Sequence, residues 1–145
     1  METHIADITR AIQLAVAPVF LLTAIGTIIT ALNHRLGRAV DRRRILQERL
    51  LHASDETAIA AKAELTALAR RSGLIYYSIL AAVTGALLVC LVVACAFIAA
   101  LLAIDLSKEV AVLFILAMIA LVVCLTLFLR EIFLAVSYVG LKLRL

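Results

Sequence analysis

The sequence predicts an all-α fold, a helical integral membrane protein with three transmembrane helices and a cytoplasmic antiparallel helical hairpin between the first two. Three stretches, residues 11–32, 73–104 and 110–129, carry no formal charge and contain 22, 32 and 20 residues. Each is long enough to span a membrane, since roughly 20 helical residues cross a bilayer core about 30 Å thick. Apolar residues make up 66% of the 145-residue chain, which leaves too little polar surface to cover three such helices in water.

The chain has room for one membrane domain, residues 1–145. The flank before the first stretch carries two acidic residues against one basic residue, which is typical of a retained anchor and not of a cleaved signal peptide. The expected parts are three spans at about 11–33, 75–104 and 110–131, a helical hairpin at about 34–71 and an amphipathic carboxyl-terminal tail at about 132–145.

Basic residues are distributed unevenly between the connections. Residues 34–71 hold nine of the fourteen Lys and Arg residues, whereas residues 105–109 hold one basic and two acidic residues. Because cytoplasmic loops carry an excess of Lys and Arg, the amino terminus is expected outside, and the long connection and the carboxyl terminus in the cytoplasm. The expected basic cytoplasmic surface consists of Arg35, Arg38, Arg42, Arg43, Arg44 and Arg49.

This basic surface also indicates which partners to expect. Arginines clustered beside spans can meet anionic lipid headgroups, in addition to the bilayer that surrounds the spans. No aromatic residue for base stacking occurs between Ala31 and Ile75, so we expect no binding to nucleic acid.

Helical periodicity continues through the long connection. The first helix is predicted to run on to about Leu51, with Ser54 or Asp55 capping a second helix that leads into the second span. A lone helix pair is marginal in water, so further burial should come from the tail or from neighbouring subunits, and we predict a homo-oligomer. The expected apolar seam of the hairpin consists of Leu36, Val40, Leu46 and Leu50 against Ile59, Leu65 and Leu68.

Polar residues recur along the first span at steps typical of one helix face. Facing lipid would gain them nothing, so this face should meet protein or water. On residue type alone, helix packing is favoured over the lining of a polar pore. Pro18 should bend the same helix, either as a structural kink or as a hinge. The polar track is defined as Gln13, Thr23, Thr27, Thr30 and His34.

Two charged residues, Arg130 and Glu131, follow the third charge-free stretch directly. Adjacent helical residues do not face each other, so each needs its own partner. Topology places arginines 35, 70 and 71 at the same level, and Glu131 is expected to pair with one of them. The alternative is an arginine that snorkels and a glutamate that is solvated at the interface. Within the membrane, the pair would instead be a functional candidate.

Small residues recur on one face of the second span, which favours close contact with another helix. The face comprises Ser78, Ala81, Ala82, Gly85 and Ala86.

Chemistry-bearing motifs are scarce in this sequence. The three cysteines lie in apolar spans without a C-x-x-C pair, and the three histidines are scattered along the chain with no metal-ligand spacing. There is also no Gly-rich phosphate loop and no Ser-His-Asp set. We therefore expect no enzyme activity, no metal and no cofactor.

Three segments, residues 12–22, 33–42 and 128–132, resemble the membrane proteins grouped as domain of unknown function 2721. The resemblance covers nearly the whole chain. It implies a small three-span protein of the bacterial inner (plasma) membrane, and it brings no established activity. Residues that it places in the recognisable segments of the family are Pro18, Asp41, Arg42, Arg130 and Glu131.

Two functional hypotheses from different classes follow. The leading one is a homo-oligomer whose first helices surround a central polar path and act as a small ion channel. The alternative is a non-conducting membrane scaffold, or a lipid- or partner-binding protein that uses the basic hairpin. The position of the polar track distinguishes them, because only a channel needs it on the symmetry axis of an oligomer.

Overall fold

The computed structural model describes residues 2–51 and 55–142, and every secondary-structure element among them is an α-helix. Helix α1 spans Glu2–Leu50, α2 spans Asp55–Leu102 and α3 spans Ser107–Lys142. The expected end of α1 near Leu51 is confirmed. Of the two predicted caps of α2, Ser54 lies outside the described residues, and Asp55 is the first residue of the helix.

All three helices are long and apolar enough to cross a membrane. The candidate spans are Ala15–Leu50, Ala61–Leu102 and Ser107–Val136, and their most apolar 18-residue windows have mean hydropathies of 2.2, 2.9 and 3.2. The chain is therefore a multi-pass membrane protein, as the charge-free stretches predict.

The carboxyl-terminal tail expected at 132–145 is not a separate element in its described part. Helix α3 continues without a break from the third charge-free stretch to Lys142. The reason is local, because no proline and only one glycine occur after residue 131 to interrupt the helix. Residues 143–145 lie outside the described part of the chain.

The helices form two compact units. One comprises Met1–Ile29 and Ala81–Val123, and the other comprises Thr30–Leu80 and Cys124–Leu145. In the first unit, α2 and α3 approach closely at Gly85. A Cβ atom on this glycine would lie 3.5 Å from the Leu121 Cγ and 3.6 Å from the Ala120 Cβ. The small residue thus permits the helix contact that the small-residue face predicts.

Buried positions recur every seven residues along each helix, which is the periodicity of coiled-coil packing. Such a repeat keeps one seam of each helix turned toward its neighbours. The buried series are Pro18, Ile25, Leu32, Ala39 and Leu46 in α1, Leu68, Ile75, Ala82 and Val89 in α2, and Ala117, Cys124 and Glu131 in α3.

The predicted hairpin seam is therefore wrong at two positions. Val40 is 41% exposed and Ile59 is 73% exposed. Ala39, one residue before Val40, takes the buried place between Leu32 and Leu46. A step of one residue turns a side chain by about 100° around the helix, so Val40 cannot share this seam.

The connection between α2 and α3 is short and locally hydrogen bonded. Ala103 has a positive φ of 53°, and the Ile104 N–H donates to the Ala99 carbonyl oxygen at 3.2 Å. The Asp105 carboxylate accepts hydrogen bonds from the Ser107 hydroxyl at 2.5 Å and from the Ser107 backbone N–H at 3.1 Å. Both hydrogen bonds lower the pKa of the Asp105 carboxyl below its ordinary value, and the bond from the Ser107 hydroxyl has the larger effect.

Candidate functional site

Three charged side chains meet where the charge-free stretches of the helices end. Arg35 follows the first stretch, Arg71 precedes the second and Glu131 follows the third. The Arg71 Nη2 and Nε atoms lie 2.8 Å and 3.3 Å from the Glu131 Oε1 atom, and the Arg35 Nη1 atom donates to Oε2. Both carboxylate oxygens are thus engaged. We call these residues the Glu131 triad.

The triad is positioned by the same seven-residue repeat that forms the apolar seams. Glu131 continues the series of Ala117 and Cys124, and its side chain is only 1% exposed. A seven-residue repeat has two seam positions that lie three residues apart. Arg35 lies three residues after the buried Leu32 and therefore occupies the second of these positions on α1. A buried carboxylate is tolerated there because two cations satisfy it.

Arg35 is also held from a second side. Its Cζ atom lies 5.1 Å from the centre of the Phe128 ring, in cation–π geometry. Phe128 precedes Glu131 by three residues on α3, so ring and carboxylate lie on neighbouring turns of one helix face. The guanidinium group of Arg35 therefore contacts both the ring and the carboxylate.

An open cavity of about 350 Å³ lies beside the triad. We call it the arginine pocket. One of its lining residues, Arg42, forms a second ion pair with Glu64, which lies outside the lining: the Arg42 Nη2 and Nε atoms lie 2.9 Å and 3.1 Å from the Glu64 Oε1 atom. Arg38 also lines the pocket and makes no ion pair with any described residue. The pocket is lined by Arg35, Arg38, Ala39, Arg42, Leu68, Arg71 and Glu131.

The structure distinguishes between the arginines that the sequence offers as partners of Glu131. Two of the three, Arg35 and Arg71, contact it where one partner was expected, whereas Arg70 is exposed and makes no ion pair with the described part of the chain. Arg130, which precedes Glu131 on the same helix, is likewise exposed and makes no ion pair there. Neighbouring helix positions differ by about 100° in direction, so Arg71 reaches the seam and Arg70 does not.

The remaining members of the basic surface lie on the outside of α1. Arg43, Arg44 and Arg49 are exposed and do not line the arginine pocket. The six arginines therefore separate into two groups, of which one lines the pocket and the other faces outward.

The polar track is uncovered in a single chain. All five of its residues are exposed, whereas Pro18 on the same helix is buried. The Thr23 hydroxyl donates to the Val19 carbonyl oxygen at 3.2 Å, and the Thr27 hydroxyl donates to the Thr23 carbonyl oxygen at 3.1 Å. These donors are thus satisfied within α1 itself. Packing within the chain does not bury the track.

At its carboxyl-terminal end the track joins a shallow cavity of about 420 Å³, lined by Thr30, Asn33, His34, Gly37, Arg38 and Asp41. All of these residues belong to α1, so the cavity is an open depression on one helix face. Arg38 also lines the arginine pocket and thus borders both cavities.

Residues suited to hold a metal do not come together in the described ranges, where no group of three or more His, Cys, Asp or Glu side chains meets. Cys90 is exposed, Cys95 is half-buried and Cys124 is buried, and all three are free thiols. The chemical capacity of the described site is therefore ionic and hydrogen bonding, carried chiefly by guanidinium groups.

Comparison with known proteins adds one finding to this geometry. No curated protein and no solved structure matches the chain. The model of one family, described as protein of unknown function (DUF2721), matches residues 15–141. The match includes the polar track from Thr23 onward and the whole arginine pocket. Because it covers most of the sequence, the chain belongs to the DUF2721 family.

Proposed function

We propose that the chain forms a homo-oligomer in the bacterial inner membrane and acts as a small ion channel, with the first helix of each subunit lining a polar path. The observation that carries this proposal is the exposure of the polar track in a single chain. Threonine and histidine side chains on a membrane span gain little from contact with lipid. A shared axis between subunits would surround them with water.

The hydrogen bonds of the threonines are compatible with this arrangement. The hydroxyl hydrogens of Thr23 and Thr27 point to carbonyl oxygens of their own helix. The hydroxyl oxygens keep lone pairs that can accept hydrogen bonds from water in the path. These two threonines therefore need no hydrogen-bond partner from another helix.

The proposed orientation places the amino terminus outside and the carboxyl terminus in the cytoplasm. It is supported by the charge distribution, because residues 34–71 carry nine of the fourteen basic residues. Arranged around an axis, the exposed arginines of α1 would form a positively charged vestibule on the cytoplasmic side. Such a vestibule concentrates anions, so we expect anion preference.

The test combines cross-linking with conductance. In a background in which the three native cysteines are replaced by serine, Thr27→Cys should form a disulfide between subunits after mild oxidation in membranes. Leu91→Cys, exposed on α2, is the matched control and should form no disulfide between subunits. Purified wild-type protein in planar bilayers should pass anions. Absence of current at every voltage and pH, together with no cross-link at position 27, refutes the channel.

A second candidate function is a non-conducting scaffold or a lipid- or partner-binding protein. It is favoured by the exposed arginines 43, 44 and 49, which need no oligomer to present a basic surface. This candidate predicts silent bilayers, and it also predicts that binding to anionic vesicles weakens steeply as salt is added.

A further inference from the structure

We infer that the arginine pocket binds a phosphate group, carried by either an anionic lipid headgroup or a soluble phosphate compound. This inference does not rest on conduction by the first helix. It also differs from the second candidate function, which needs only a general basic surface. The pocket is a defined site with a fixed set of donors, so substitutions can separate it from the remaining positive charge of the chain.

The charge of the pocket favours an anion. Its lining contains four arginines and one glutamate, a formal balance of +3. Glu64, which pairs with Arg42 from outside the lining, reduces this balance to +2. A group with one or two negative charges would therefore complete the site. Arginine suits phosphate particularly well, because its planar fork of N–H donors matches two phosphate oxygens.

Donors remain available after the ion pairs are counted. A guanidinium group has five N–H donors. Glu131 accepts from one nitrogen of Arg35 and from two nitrogens of Arg71. Arg38 donates to no carboxylate of the described chain and is exposed. Arg35, Arg38 and Arg71 can therefore each contribute further hydrogen bonds to a ligand.

Three of the guanidinium groups are already held in place. Arg35 contacts the Phe128 ring and Glu131, Arg71 is bound by two of its nitrogens to Glu131, and Arg42 is bound in the same manner to Glu64. Binding therefore does not have to immobilise these side chains, which lowers its entropic cost. Arg38 is the one pocket arginine without an ion pair in the described structure, so it is the natural residue to close over the ligand.

Size and position agree with a phosphate ligand. A volume of about 350 Å³ corresponds to roughly a dozen water molecules at about 30 Å³ each, which is ample for a phosphate and the group attached to it. The pocket also adjoins the ends of the charge-free stretches, where the headgroups of a bilayer lie. A lipid phosphate and a soluble one can both reach such a position.

The experiment uses two probes and two matched variants of the full-length protein. Inorganic phosphate is titrated into detergent-purified protein and followed by calorimetry. Separately, the protein is recovered from nanodiscs of phosphatidylcholine and phosphatidylglycerol, and retained lipid is counted by native mass spectrometry. Arg38→Gln removes a pocket charge, and Arg43→Gln removes one outward-facing charge five residues further along the same helix. Both residues are exposed and unpaired in the described structure, so neither variant should affect folding, which circular dichroism verifies.

Arg38→Gln should weaken binding about tenfold, and Arg43→Gln should change it by less than about twofold. A phosphate signal with this pattern identifies a soluble ligand, whereas the same pattern confined to retained phosphatidylglycerol identifies a lipid headgroup. Equal losses of affinity in both variants would show that binding depends only on general positive charge and would overturn the inference. The absence of binding by both probes would overturn it as well.

Discussion

Replacement of Glu131 by glutamine tests whether the triad holds the helices together. The substitution removes the negative charge, keeps the shape of the side chain and creates no cavity. In the wild-type chain the carboxylate accepts three N–H groups from Arg35 and Arg71, and its side chain is 1% exposed. Glutamine leaves the two arginines close together without the charge that compensates them.

The expected loss is about 3 kcal/mol in the free energy of unfolding. Removing one partner of a buried ion pair typically costs about 3–5 kcal/mol, because a buried charge is left uncompensated. In this protein the side chains of Arg35 and Arg71 are 32% and 30% exposed, so both can regain part of their hydration. This places the loss at the lower end of the range.

Reversible unfolding in mixed micelles, followed by far-ultraviolet circular dichroism as the fraction of sodium dodecyl sulfate rises, measures this loss. Glu64→Gln is the matched control, because it removes the carboxylate of the more exposed pair with Arg42. We expect it to cost about 1 kcal/mol or less. If Glu131→Gln and Glu64→Gln destabilise the protein equally, the triad is not a stabilising contact and the reasoning fails.

Three further outcomes are expected from the same unfolding assay. A double-mutant cycle between Glu131→Gln and Arg71→Gln should give a coupling free energy above about 1 kcal/mol, whereas the cycle with Arg70→Gln should give none. Gly85→Ala should be tolerated, because its Cβ would make ordinary contacts at 3.5–3.6 Å, whereas Gly85→Leu should cost about 1–3 kcal/mol through overpacking. Ala103→Gly should stabilise the chain by up to about 1 kcal/mol, because a positive φ is unfavourable for alanine and accessible to glycine. A loss of stability in this variant would contradict that reasoning.

Much of the fold could be predicted from hydropathy and helix propensity. The absence of charge over membrane-length stretches predicts the three spans. The lack of helix-breaking residues predicts that α1 continues beyond its span to about Leu50 and that α2 begins well before its span, near Asp55. These properties are local, so a single sequence contains them. Which side of each helix is buried depends on the neighbouring helices, so a single sequence predicts it less well.

The choice of seam shows where prediction from near-helical spacing was insufficient. Near-helical spacing of three and four residues places Val40 in the predicted seam, although its neighbour Ala39 is the buried residue. A strict step of seven, from Ile25 through Leu32 and Ala39 to Leu46, identifies the correct face. Alanine is less hydrophobic than valine, so hydrophobicity alone favours Val40 over its neighbour Ala39 as the buried residue.

The same repeat contains the signal for the site itself. Arg71 lies seven residues before the buried Ser78, which in turn lies seven before Gly85. Arg70 lies off this series, so the repeat would have selected between the two adjacent arginines. Glu131 likewise follows Cys124 by seven residues. The charges that meet in the site thus occupy seam positions at which an apolar residue would otherwise be expected.

Charged residues at seam positions have a cost that an apolar seam would avoid, so their presence calls for a physical reason. A buried polar residue in a helix seam fixes register and partner choice, because any other pairing leaves its charge unsatisfied. Only when α1, α2 and α3 align does Glu131 meet both Arg35 and Arg71. The alignment that satisfies Glu131 also brings the partly exposed faces of the same arginines beside Arg38 in the pocket. We therefore expect both helix register and anion binding to depend on one carboxylate, and a ligand in the pocket would stabilise the aligned helices by the free energy of its own binding.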